Sequence, residues 1–166
     1  MMKPLSKFLT LFISIYFCTS VYADDSLTVK TIGVELAKDI AFESIKACRK
    51  QGFQVSAVVV DRNGLVQAAL RDDLATQFTL QIAEEKANTV ILSGISSGEF
   101  RKSREDIRPE LNHIKGIIVM QGGLPIEMAG SKIGAIGVSG APGGDLDERC
   151  AQHALDALSE RIEFAE

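Results

Sequence analysis

Residues 55–60, Val-Ser-Ala-Val-Val-Val, are small, apolar or β-branched on both alternating faces, and a second run, Leu65 to Leu70, follows the turn signal Asp61-Arg62-Asn63-Gly64. A strand without a polar face has to be covered on both sides, and an Asn-Gly pair supplies the positive φ with which a chain reverses in a hairpin. The segment therefore predicts an antiparallel sheet with layers above and below it. Residues 116–139 extend the pattern: GIIVMQ, a Gly122-Gly123 turn, LPIEM, a turn at Ala129 to Lys132, and IGAIGVS read as three further short strands. Nine of the 14 glycines lie between 116 and 144. Inside strands they mark bends and bulges, or places where another backbone or a flat ligand comes close.

Helical spacing supplies the covering layers. From Val29 apolar residues recur at 29, 32, 36, 40, 45 and 48 with charges between them, predicting an amphipathic helix that ends near Gly52. Thr76 to Leu92 repeats the pattern, and Gly94 is placed to end it. Residues 95–115 read as a loop with one short helix, and a last helix opens near Asp145 with Cys150, Ala154, Leu158 and Ile162 on its apolar face. The fold class is α+β: one profilin-like domain, residues 24–166, with an antiparallel sheet of about five strands covered by helices on both faces. If the first and last helices pack side by side, Cys48 and Cys150 share one seam, as a disulfide or as two buried thiols.

The first 23 residues stand apart. Lys3 and Lys7 precede the apolar run 8–18, and Val21 and Ala23 provide the small residues of a signal-peptidase site. Cys18 follows Phe17, where a lipoprotein acceptor wants a small neighbour. A signal peptide cleaved after Ala23 predicts a periplasmic or secreted product with no membrane insertion after cleavage. Its loss removes two lysines and no acid, taking the net charge from −4 to −6. That acidity, without a basic stripe, argues against nucleic acid as a partner.

The strongly specific catalytic motifs are missing: no P-loop lysine, HExxH, CxxC or GxSxG occurs. Ser139 has no assigned base and reads as a strand-end serine. His113 and His153 are the two imidazoles, and neither has chelating neighbours beyond Cys150 three residues before His153. Either could serve as a single axial ligand to a haem iron. Glu160 and Glu163 lie three apart on one helical face, a spacing that can share a hard cation or serve only as solvated charge. Arg71 lies in a charge-rich turn with Asp72 and Asp73 ahead of a helix start, and Lys86, on the apolar side of its helix, either snorkels or holds an anionic group such as a propionate.

Several segments together resemble one family. Val58-Val59-Val60-Asp61 to Gly64, Arg71-Asp72, Ala83-Glu84-Glu85-Lys86-Ala87, Gly122-Gly123-Leu124-Pro125-Ile126, Ile133 to Gly140 and Asp147-Glu148 occur in the order and spacing of the GlcG/HbpS family of haem-binding proteins. The likeness spans residues 27–160, with Leu124 where Val or Ile is more usual and Ala141-Pro142 where Gly is frequent. It implies a profilin-like domain, homo-oligomers and, for exported members, binding of haem or a related tetrapyrrole linked to iron or redox sensing. The resulting expectation is an exported protein that carries, buffers or senses haem rather than a conventional catalyst, with Arg71 and Lys86 nominated to hold the propionates and His113 or His153 the iron. The alternatives are a non-haem adaptor contacting a membrane sensor protein, and a small-molecule or tetrapyrrole-processing enzyme.

Overall fold

The computed structural model describes residues 26–164, so the segment expected to be a signal peptide, residues 1–23, lies outside the described residues. Four strands form one antiparallel sheet in the order β2-β1-β4-β3: β1 (Ser56–Asp61), β2 (Val66–Arg71), β3 (Gly123–Met128) and β4 (Ser131–Ser139). Every residue of β1 is buried, as its two apolar faces require. Ala57 and Val59 face a layer made by α1 (Val34–Arg49) and α5 (Gly144–Ala157). Val58 and Val60 face α2 (Phe78–Ser93), whose Ala83, Ala87 and Val90 close the second core. Helices thus cover both faces of the sheet.

Four differences from the sequence expectation have physical causes. The sheet has four strands because 117–120 leans on α2 instead of on a strand. Ile118 donates its N–H to Glu85 O and to the Thr89 hydroxyl, and that hydroxyl lies 2.8 Å from Ile118 O. An apolar run announces burial but does not say which backbone answers its hydrogen bonds. Next, α1 begins at Val34, not at Val29, because Ile32 is buried and donates its N–H to Ile133 O, fixing the chain before Gly33 in an extended form. The stretch 95–115 holds two short helices, α3 (Ser97–Ser103) and α4 (Arg108–Leu111). Ser96 caps the first by accepting Glu99 N–H, Pro109 stands in the first turn of the second, and Phe100, Leu111 and Val119 form a small core of their own. Finally, the last helix breaks at Leu158 into α5 and α6 (Ser159–Glu163), whose Ile162 joins the core over β3.

Cys48 and Cys150 are bonded, joining α1 to α5 across 102 residues of chain. Of the two arrangements open from sequence, the seam holds the disulfide.

The strand glycines are taken up by backbone. A Cβ on Gly137 would stand 1.9 Å from Ala83 O, and one on Gly123 would stand 2.5 Å from Lys86 O. Helix α2 therefore lies against β3 and β4 at a distance that only glycine permits.

Candidate functional site

The nominated residues do not converge. Lys86 is 1% exposed; its Nζ donates to Val138 O at 2.9 Å and to Asp147 Oδ2 at 2.8 Å, while Asp147 Oδ1 accepts Ala141 N–H. Burial pushes the Asp147 carboxyl above the usual carboxylate range, and the Lys86 ammonium pulls it partly back. This ion pair links α2, the end of β4 and the start of α5, and its geometry leaves Lys86 no route to a propionate at the surface. That corrects the nomination: lysine on the apolar side of a helix was turned inward by a carboxylate 61 residues away.

Arg71 is exposed but folded back on its own loop, with Nη1 donating to the carbonyls of Asp72, Asp73 and Ala75. Its neighbour Asp72 is buried and holds the Arg49 guanidinium through both carboxylate oxygens. The Arg49 guanidinium, assisted by Asp73 N–H, keeps the Asp72 carboxyl below its ordinary range against the effect of burial. The charge-rich turn is a clasp between β2 and the end of α1. Glu160 and Glu163 are exposed on α6, and among the described residues no cluster of three or more His, Cys, Asp or Glu could hold a metal ion.

The two histidines occupy different places. His153 is exposed on α5, in a shallow groove with Gln51, Arg149 and Gln152. His113 follows α4 and lines a groove of about 730 Å³ bounded by α2, α3, α4 and the segment 112–120. Its imidazole makes no hydrogen bond or ion pair with another described residue. Ile114, Ile117 and Met120 supply an apolar wall, with Ile114 and Met120 respectively 47% and 43% exposed. Arg101, Arg108 and Lys115 stand around it.

Sequence reasoning singles out His113 as a candidate but not the residues that line its groove. The available signal was the density of cations in 101–115, where Arg101, Lys102, Arg104, Arg108 and Lys115 precede the apolar run Ile117 to Met120. Reading that run as a sheet strand hid its role as a groove wall.

The donor set fits haem. An unengaged imidazole nitrogen and a Met thioether are known axial ligand types, the apolar wall suits a porphyrin face, and the cations suit carboxylates. The groove also falls within the size range of small-molecule sites, roughly 300–1,000 Å³.

Comparisons with known proteins point to a haem-related family. A family model described as haem degrading protein HbpS-like matches residues 32–156. A double mutant of Streptomyces reticuli HbpS is 33% identical with a TM-score of 0.76, covering 84% of this chain and 94% of that one. Klebsiella pneumoniae protein ORFY is 29% identical with a TM-score of 0.76, covering 83% of this chain and 97% of that one. PduOC, solved as a haem complex, is 20% identical with a TM-score of 0.68, covering 76% of this chain and 94% of that one, and shows likeness of fold alone. None of the curated proteins compared with the chain matches it significantly. By the extent of the family match and the identity to HbpS over most of both chains, this protein belongs to the HbpS-like family.

Proposed function

We propose that the chain is an exported haem-binding protein that carries, buffers or senses haem in the groove beside His113. The observation that carries this reading is the meeting of the unengaged His113 with an apolar wall and three cations in one groove of an HbpS-like chain. His113 would hold the iron through an imidazole nitrogen, and Ile114, Ile117 and Met120 would pack against the macrocycle and keep water from its face. When bound, the haem supplies redox chemistry at iron; the protein's own task is to hold, orient and partly desolvate it. Export is supported by the basic and apolar start of the sequence, and the Cys48–Cys150 bond suits an oxidising compartment. The placement of α1 and α5 on one face of the sheet and α2 on the other supports the profilin-like reading of the fold. Edge strand β2 and the segment after it leave Val66, Leu74 and Phe78 exposed, which favours assembly into homo-oligomers.

The test is a haemin titration of residues 24–166, followed by the Soret band, repeated with His113→Ala and His153→Ala. A saturable shift lost in His113→Ala alone is expected. No saturable shift beyond that of a control protein removes haem binding, and loss only in His153→Ala moves the site to α5.

The family description favours a second reading, haem degradation. Consumption of several haem equivalents per protein, with a defined ring-opened product, would establish it. Bleaching of a single bound equivalent by peroxide would not.

A further inference from the structure

Five cations of the described residues, Lys50, Arg101, Lys102, Arg108 and Lys115, have side chains with no hydrogen bond or ion pair. The remaining ones are held by carboxylates, carbonyls or a thioether. Three of the five line the His113 groove, and they arrive from three different pieces of chain: Arg101 from α3, Arg108 from α4 and Lys115 from the loop beyond it. No single helix period brings them together. One acid, Glu85, lines the same groove, and Gln81 Nε2 already donates to its Oε1 at 2.9 Å. In a chain whose net charge is −4, this concentrates unanswered positive charge beside an apolar wall. Like charges held together without counterions repel, and that repulsion is relieved when an anion settles among them. An arginine fork matches a carboxylate through two parallel N–H···O bonds.

We propose that Arg101, Arg108 and Lys115 form a carboxylate clamp that makes this groove selective for planar apolar macrocycles carrying two free acid groups, with or without a central iron. The proposal rests on the haem-groove reading and adds the determinant of its ligand choice. His113 acts on the metal, whereas the clamp acts on the ligand's edge. The two contributions are therefore separable: removing iron silences the first and leaves the second intact.

The experiment compares three probes on the full mature chain: haemin, iron-free protoporphyrin, and the dimethyl ester of that porphyrin, which keeps the ring and loses both charges. Binding is followed by absorbance and porphyrin fluorescence. The free acid is expected to bind at least about tenfold more tightly than the ester, the worth of one charge-assisted hydrogen bond. In Arg101→Gln/Lys115→Gln, both exposed positions, the acid should weaken toward the ester while the ester holds its affinity. Arg108→Gln should act in the same direction and Arg108→Lys should restore part of the loss. Glu85→Gln should strengthen acid binding. Lys50→Gln/Lys102→Gln, which removes two charges outside the groove lining, should leave the ratio unchanged. Equal binding of acid and ester by the wild type overturns the clamp while leaving haem binding in place. So does an equal loss of both in the Arg101/Lys115 variant. Failure of the wild type to bind haemin or porphyrin at all removes the groove reading itself, and the clamp with it.

Discussion

Replacing Lys86 with methionine keeps the length and most of the volume of the side chain but deletes the ammonium that lies 2.8 Å from Asp147 and 2.9 Å from Val138 O. What remains is a carboxylate 4% exposed, with Ala141 N–H as its one partner, and a carbonyl deprived of its donor. Removing one member of a buried pair costs about 3–5 kcal/mol, because the survivor is left charged and unanswered. For a domain of this size that is a fall of roughly 10–20 °C in Tm. The pH dependence gives a second, independent signature. Burial already raises the Asp147 carboxyl, and Lys86 opposes that rise, so deleting Lys86 moves it further up. A carboxyl whose folded value exceeds its unfolded one favours the native state below the unfolded value and loses that contribution as pH climbs through the folded one. The deficit of Lys86→Met relative to wild type should therefore be largest at neutral pH and narrow on mild acidification, as Asp147 takes up a proton. Adding Asp147→Leu should recover most of the loss. The assay is urea unfolding of the oxidised mature chain at neutral and mildly acidic pH. A deficit below about 1 kcal/mol, or one that fails to narrow, would refute the argument.

Three further outcomes follow from the same geometry. Gly137→Ala puts a methyl group 1.9 Å from Ala83 O, on helix backbone that cannot rotate away, and should destabilise by at least the 1–3 kcal/mol typical of about one methylene of overpacking; chemical denaturation of the variant checks it. Reducing or deleting the Cys48–Cys150 bond, which spans 102 residues, should cost on the order of 4–5 kcal/mol by chain entropy, and the unreduced, unfolded mature chain should titrate no free thiol; two free thiols would contradict it. Asp72 behaves opposite to Asp147: the Arg49 guanidinium holds its carboxyl down, so its contribution is present above the unfolded value near 3.9 and is lost as pH falls through the lower folded value. Asp72→Asn should flatten the acid limb of the stability curve, measured by urea midpoint against pH.

Much of the architecture was legible because its signals are periodic. The run 55–60 announced a strand covered on both sides, Gly64 does adopt the left-handed φ of +85° at the hairpin, and the spacing of Thr76 to Leu92 gave α2 and its Gly94 cap. What periodicity cannot convey is the identity of a distant partner. The run 117–120 looked like a strand because its apolar side chains are those of one, yet Glu85 and Thr89 of α2 receive its backbone. The glycines of β3 and β4 left backbone and flat ligand as alternatives, and only the position of α2 decides between them. Lys86 carries no sequence mark of its pairing with Asp147. The groove suffered most, since its cations come from α3, α4 and a loop, short elements stabilised by a serine cap, a proline and a three-residue core with little periodic signal. His113 is one of two imidazoles, and nothing in its spacing sets it apart from His153.

The most direct test of the account is a crystal structure of the mature chain with haemin, phased on the iron anomalous signal. The account predicts iron within bonding distance of the His113 imidazole, the ring against Ile117 and Met120, and the acid groups among Arg101, Arg108 and Lys115. Iron at His153 on α5, or haem elsewhere with the groove beside His113 empty, would contradict it.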